Sequence, residues 1–89
     1  MTYRVQLSPP AVKAYHKLDA SIKPAVQAGL DSLRQQPLSG PKIKRLKGRL
    51  REYLRYRVGD YRIVYTVDQR ERVVSVDYLQ HRKDVYRSI

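Results

Sequence analysis

Residues 54–68 read LRYRVGDYRIVYTVD and contain two runs of alternating apolar and polar side chains, separated by Gly59 and Asp60. Alternation with a period of two is typical of a half-buried strand, and a Gly-Asp pair between two such runs predicts a two-residue hairpin turn. That turn places Arg57 directly opposite Arg62, with both side chains on one face of the sheet. The apolar side chains of the two strands then share the other face.

The remaining sequence predicts a helical hairpin and further strands around this unit. Ser8 followed by two prolines is typical of a helix start, and a second helix is expected to be capped at Asp19 or Ala20. The predicted order is a strand near residues 3–7, a helix to about Leu18, a helix to about Gln36, an exposed loop over 37–48, and strands over 52–58, 61–67 and 73–79. This βααβββ order predicts one α+β domain over residues 1–89, with the helices on one face of a small, mostly antiparallel four-stranded sheet.

The chain is strongly basic, with 19 Lys and Arg against 8 Asp and Glu and a net charge of +11. Eight of these basic residues and a single acid, Glu52, fall between Lys42 and Arg57. Such a density indicates a polyanionic partner, and a merely solvated basic surface is the alternative. The chain has no cysteine, which excludes a disulfide framework and a zinc ribbon. With no long apolar run, we expect a cytoplasmic protein with no membrane partner.

Three arginines form a candidate phosphate site. Arg55, Arg57 and Arg62 are predicted to share the face that the helices leave uncovered. Like charges directly opposite each other destabilise a sheet by up to about 1 kcal/mol, and a bound anion relieves that repulsion. Guanidinium groups also match phosphate oxygens in bidentate geometry. The alternative, that these arginines only keep the uncovered face soluble, stays open on charge and spacing alone.

Alternation assigns further side chains to the two faces. Tyr53 is predicted to share the face of the arginines. In the last strand Val74, Val76 and Tyr78 are predicted to line the core, so that Asp77 faces the arginines and holds one of them in place. The two histidines and the scattered carboxylates do not compose a metal site, and no cofactor is expected.

Two segments carry a family resemblance. RYRVGDYRIVYTVD at 55–68, followed by QHRKDVY at 80–86, resembles the RelE/ParE superfamily of type II toxins, in its RelE-like branch. The resemblance extends along nearly the whole chain and implies a RelE-like, microbial-RNase-like fold. It implies a metal-independent, ribosome-dependent endoribonuclease that cleaves mRNA in the ribosomal A site. It also implies a cognate antitoxin that binds the toxin in a hetero-oligomer.

The resemblance also implies roles for single residues. It assigns catalysis to Arg62, His81, Arg82 and Tyr86, and phosphate binding to Arg55 and Arg57. The basic segment, which is the stretch from Lys42 to Arg57, adds the candidate phosphate-binding residues Lys44, Arg45, Lys47, Arg49 and Arg51. The general base stays open, because relatives use a histidine at the place of His81, basic residues with a tyrosine, or a glutamate that only Glu52 matches.

Two other functions compete with the nuclease. The ParE-like branch of the same superfamily inhibits DNA gyrase by binding it, without enzymatic activity. A degenerate toxin that only binds its antitoxin, or a plain basic RNA-binding module, is the third hypothesis. The combination of basic residues with His81 and Tyr86 favours the nuclease, because a gyrase inhibitor does not need these residues as a set.

Overall fold

The computed structural model describes residues 2–83, in which two helices cover one face of a five-stranded sheet. The elements are β1 (Arg4–Leu7), α1 (Pro9–Lys17), α2 (Lys23–Gln35), β2 (Ile43–Arg45), a short 3-10 helix (Gly48–Leu50), β3 (Leu54–Val58), β4 (Tyr61–Asp68) and β5 (Val73–His81). The strand order is β1-β5-β4-β3-β2, with β1 parallel to β5 and the other pairs antiparallel. The predicted α+β class, with a helical hairpin on a mostly antiparallel sheet, is confirmed.

The fifth strand corrects the predicted loop over residues 37–48. Within it, β2 pairs with β3 so that Ile43 lies opposite Tyr56 and Lys44 lies opposite Arg55. A three-residue strand is too short to show a periodic pattern, and the surrounding Gly, Pro and Lys residues indicate a loop. The strand forms because β3 offers it a free edge of backbone N–H and C=O groups.

Hydrogen bonds between neighbouring residues determine where the two helices begin. The Ser8 hydroxyl accepts the Ala11 amide at 3.2 Å, which confirms the predicted cap of α1. The start predicted for α2 is wrong, because Ile22 and not Asp19 or Ala20 occupies the N-cap position. The Asp19 carbonyl instead accepts the amides of Ile22 and Lys23 and forms a turn ahead of the helix.

Neither helix in residues 2–83 is long and apolar enough to cross a membrane.

The core lies between the helices and the sheet. Its buried members on the helices include Val26, Leu30 and Leu33, and on the sheet Leu54, Ile63, Tyr65, Val74 and Val76. The Tyr65 hydroxyl donates to the Pro37 carbonyl at 2.7 Å, which fastens the segment after α2 over the core. Burial raises the pKa of Tyr65, so this hydroxyl stays a proton donor. In residues 2–83 the helices therefore cover one face of the sheet, and no described helix lies on the opposite face.

Candidate nucleic-acid interface

The hairpin between β3 and β4 has the predicted register. Val58 lies opposite Tyr61 and Arg57 lies opposite Arg62. Gly59 adopts a φ of +56° and Asp60 a negative φ, the sign pattern of a two-residue turn with its first central residue in the left-handed region. A glycine at this place lets the chain reverse within two residues, which fixes the two arginines as direct cross-strand neighbours.

β2 adds lysines to the arginines. Lys44 lies opposite Arg55, and the Arg57 amide donates to the Lys42 carbonyl at 2.9 Å, so the pairing continues to Lys42. By strand alternation these side chains and that of Arg62 all point away from the helices. We name this surface, formed by Lys42, Lys44, Arg55, Arg57 and Arg62, the basic face. Four of its five cations lie on three adjacent strands and Lys42 immediately precedes β2, which is a denser arrangement than the sequence alone predicted.

Two predicted catalytic arginines meet at the hairpin turn. The Arg62 Nη1 donates to the Gly59 carbonyl at 3.1 Å and to the Tyr61 carbonyl at 3.0 Å. The Arg82 amide donates to the Asp60 carbonyl at 2.6 Å, and its Nε lies 3.8 Å from the Asp60 Oδ1. Both side chains of this ion pair are more than half exposed, so it contributes about 1 kcal/mol at most and mainly orients Arg82.

A β-bulge in β5 changes which side chains face the core. Val64 lies opposite Tyr78 and Tyr65 lies opposite Val76, so Asp77 is an extra residue between the two pairs. The prediction that Tyr78 lines the core is wrong, because the bulge turns it to the uncovered face, where 45% of it is exposed. Leu79 takes the core position instead.

The bulge residue Asp77 holds a tyrosine rather than an arginine. The Tyr53 hydroxyl donates to the Asp77 Oδ2 at 2.7 Å, which corrects the expectation of an Asp77–arginine pair. Because Tyr53 precedes β3 and Asp77 lies in β5, the Tyr53 ring crosses β4 on the uncovered face. This bond, together with partial burial and the nearby charge of Asp77, raises the pKa of Tyr53 to about 12. Tyr53 is therefore held as a neutral hydrogen-bond donor.

The same bulge places His81 on the other side of the sheet from the arginines. His81 lies opposite Tyr61, and the two rings meet edge to face with centroids 5.2 Å apart. Tyr61 packs against the core under the helices. The His81 Nδ1 accepts the Lys83 amide at 3.3 Å. Tyr86, the remaining predicted catalytic residue, lies outside the described residues.

The basic segment is divided between surfaces. Arg45 lies opposite Leu54 and points away from the basic face, and its Nη1 donates to the Arg51 carbonyl at 3.1 Å. Lys47, Arg49 and Arg51 are exposed around the short 3-10 helix, as is Glu52. Of the residues predicted to bind phosphate, Lys44, Arg55, Arg57 and Arg62 lie on the basic face, and Arg45, Lys47, Arg49 and Arg51 do not. Within residues 2–83 no three His, Cys, Asp or Glu side chains converge as metal ligands.

The raised pKa of Tyr53 predicts a loss of stability at high pH. In the unfolded chain Tyr53 ionises near its ordinary pKa of about 10, whereas the folded state holds the proton to about pH 12. The contribution of Tyr53 to the free energy of unfolding is thus complete below pH 10 and is lost as the pH rises from about 10 to about 12. The measurement is urea unfolding at about pH 9 and at about pH 11. We expect the free energy of unfolding to fall less between these two pH values for Tyr53→Phe than for the unsubstituted protein.

A matched variant separates the charge of Asp77 from its hydrogen bond to Tyr53. Asp77→Asn keeps an oxygen acceptor but removes the charge, so the pKa of Tyr53 should fall toward its ordinary value. The Tyr53 contribution to tyrosinate absorbance, obtained by difference from Tyr53→Phe, should then appear at lower pH. An unchanged titration in Asp77→Asn would show that the charge of Asp77 does not contribute to the raised pKa of Tyr53.

Solved structures share this architecture. The chain is similar to a chain of the toxin-antitoxin complex RelBE2 from Mycobacterium tuberculosis, with 28% identity, coverage of 91% of this chain and 99% of that chain, and a TM-score of 0.81. It is similar to the archaeal RelE-RelB complex from Pyrococcus horikoshii OT3, with 30% identity, coverage of 92% and 97%, and a TM-score of 0.78. The isolated RelE toxin of E. coli has the same fold at 20% identity, with coverage of 98% and 99% and a TM-score of 0.75. No protein with a curated description matches the sequence significantly.

The fold defines the class of the protein, which is a toxin of the RelE/ParE superfamily. The sequence model of the family described as "ParE toxin of type II toxin-antitoxin system, parDE" matches residues 5–86. The chain therefore belongs to this family of type II toxins.

Proposed function

We propose that this toxin is an endoribonuclease that cleaves mRNA in the ribosomal A site. The observation that carries the proposal is the direct pairing of Arg57 with Arg62 on a sheet face that no described helix covers, with Arg82 at the same turn. Fixed guanidinium groups match the oxygens of a phosphodiester in bidentate geometry. Preorganised charge of this kind stabilises the negative charge that develops during phosphoryl transfer.

The reaction is attack of a ribose 2′-hydroxyl on the adjacent phosphodiester. A bond forms between the 2′-oxygen and phosphorus, the bond to the 5′-oxygen breaks, one proton leaves the 2′-hydroxyl and one reaches the leaving oxygen. Arg57 and Arg62 neutralise the charge on the phosphoryl oxygens. His81 faces Tyr61, so its predicted role in proton transfer requires its ring to leave that contact. The roles of His81 and Tyr86 in proton transfer stay predictions.

The site geometry favours dependence on the ribosome. In residues 2–83 no histidine lies beside the arginines of the basic face, and Tyr53 is held as a neutral donor. The ribosome can contribute the positioning of the 2′-hydroxyl, and positioning is worth several kcal/mol of activation free energy. Lys47, Arg49 and Arg51 are exposed, and their predicted role is to contact ribosomal RNA phosphates.

We expect the purified toxin to cleave mRNA rapidly on programmed ribosomes and free RNA slowly. The measurement is the cleavage rate of one mRNA with and without ribosomes in the same buffer. Binding to ribosomes should weaken steeply with salt, because each phosphate contact releases counterions. Efficient cleavage of free RNA would contradict the ribosome-dependent mechanism.

The proposal includes an antitoxin. The Mycobacterium tuberculosis structure is described as a toxin-antitoxin complex, and the archaeal structure is described as a complex of RelE with RelB. For this chain we propose an acidic partner that folds against the basic face, because a net charge of +11 favours association with a negatively charged chain. Such a partner blocks the phosphate site while it is bound.

Inhibition of DNA gyrase is the second candidate function. It is favoured by the matched family, which is described by the ParE toxin. A gyrase inhibitor acts by binding a protein and has no need of paired arginines on an open sheet face. Pulse labelling after induction separates the two functions, since the nuclease stops protein synthesis first and a gyrase inhibitor stops DNA synthesis first.

A further inference from the structure

Tyr78 is an exposed residue that has no role in the proposed cleavage. In residues 2–83 the large hydrophobic side chains left exposed are Val12, on α1, and Tyr78, on the face away from the helices. Tyr78 is thus an exposed aromatic ring on the same side of the sheet as the cations of the basic face. We propose that Tyr78 is a stacking platform for a nucleobase of single-stranded RNA, a proposal that rests on the proposed action on RNA.

The distance from Tyr78 to Arg55 suits one nucleotide. Lys44, Arg55, Val64 and Tyr78 are aligned as cross-strand neighbours on β2, β3, β4 and β5. Neighbouring strands are about 4.8 Å apart, so the backbones at Arg55 and Tyr78 are separated by about 10 Å. A nucleotide whose base lies on the Tyr78 ring can therefore place its phosphate against the Arg55 guanidinium.

The sheet between the Tyr78 ring and Arg55 is closely covered by side chains. Val64 points away from the helices and yet is only 2% exposed, so neighbouring side chains cover it. Tyr53 crosses β4 beside it and is fixed by its hydrogen bond to Asp77. The bulge at Asp77 is what turns the Tyr78 ring outward, and bulges commonly redirect side chains next to functional sites.

The chemistry of stacking defines the ligand class. Every nucleobase has a π face, so an exposed tyrosine beside cations binds single-stranded RNA with little dependence on sequence. Duplex RNA keeps its bases stacked on one another and does not offer a face to the ring. We therefore expect Tyr78 to contribute to binding of unpaired nucleotides next to the scissile bond and not to binding of a duplex.

The test uses the full chain and a short single-stranded RNA that carries 5-iodouridine. Irradiation should cross-link the RNA to Tyr78, as mapped by mass spectrometry of the digested protein. In anisotropy titrations with the same RNA, Tyr78→Leu should bind about tenfold more weakly, whereas Tyr78→Phe, which keeps the ring, should bind like the unsubstituted toxin. Tyr78→Leu keeps an apolar side chain opposite Val64, and thermal melting confirms that the variant is folded. Val12→Ala is the control for loss of an exposed apolar side chain on the helical side.

The outcomes distinguish this proposal from the proposed function. If Arg62→Ala abolishes cleavage on ribosomes while no cross-link forms at Tyr78, the nuclease stands and the stacking site is wrong. If the toxin does not cleave mRNA but cross-links through Tyr78, the stacking site stands and the nuclease is wrong. If Tyr78→Leu binds RNA normally and instead loses affinity for the antitoxin, Tyr78 is a protein contact and the proposal is overturned.

Discussion

Replacing Arg62 with alanine is expected to lower the rate of mRNA cleavage on ribosomes about 100-fold or more, the usual scale for loss of one preorganised donor. The fold should survive the change. Arg62 loses its Nη1 hydrogen bonds to the Gly59 and Tyr61 carbonyls, each worth about 1 kcal/mol. Removal of the like charge opposite Arg57 offsets part of this loss, so we expect the variant to stay folded. Cleavage rates and thermal melting of the same preparation provide the measurement.

Two variants control for charge and for shape. Arg70→Ala removes the same charge from an exposed position in the β4–β5 turn and should leave cleavage unchanged. Arg62→Lys keeps the charge but loses the planar fork, so its cleavage rate should lie between those of the alanine variant and the unsubstituted toxin. If Arg62→Ala arrests growth as fully as the unsubstituted toxin, or fails to do so only because it unfolds, Arg62 does not have the assigned role.

Gly29→Leu is expected to lower the free energy of unfolding by about 2 to 3 kcal/mol and the melting temperature by about 10 °C. A Cβ atom at Gly29 would lie 2.9 Å from the Tyr56 Cε1 and 3.1 Å from the Val58 Cγ2, because α2 approaches β3 closely at this point. A leucine adds three further carbon atoms, which forces the helix and the strand apart. The better helix propensity of leucine returns only about 1 kcal/mol. Chemical denaturation followed by circular dichroism measures the loss.

The neighbouring residue supplies the matched control. Ala28 is exposed on the same helix, so Ala28→Leu introduces the same side chain without a steric clash and should change the free energy of unfolding by about 0.5 kcal/mol or less. A result in which both variants are equally stable would show that α2 does not approach β3 as closely as the structure has it. Gly29→Leu and Arg62→Ala together separate toxicity lost through unfolding from toxicity lost at the site.

Local sequence was sufficient for the hairpin that pairs Arg57 with Arg62. The Gly59-Asp60 pair specifies a two-residue turn, and once the turn is set, every opposite pair along β3 and β4 follows by counting. Ser8 with the prolines after it likewise determines where α1 begins, since a cap needs only neighbouring residues. The excess of positive charge and its concentration between residues 42 and 57 are properties of composition and need no structure at all.

The placement of individual cations depended on long-range pairing. Lys44 joins the basic face only because β3 presents an open edge to a segment whose Gly, Pro and Lys residues indicate a loop. Arg45, the next residue, points the other way for the same reason. Without the partner strand, nothing in this short segment distinguishes one basic side chain from its neighbour.

The bulge at Asp77 decided the rest of the site. A single extra residue reverses the alternation beyond it, so Tyr78 faces outward, Leu79 enters the core and His81 leaves the face of the arginines. A bulge is a mismatch in length between two paired strands, stabilised here by contacts such as the Tyr53–Asp77 hydrogen bond across β4. Its position depends on how both strands meet the core, which is information that β5 alone does not contain, and so only the tertiary structure could place Tyr78 beside the cations.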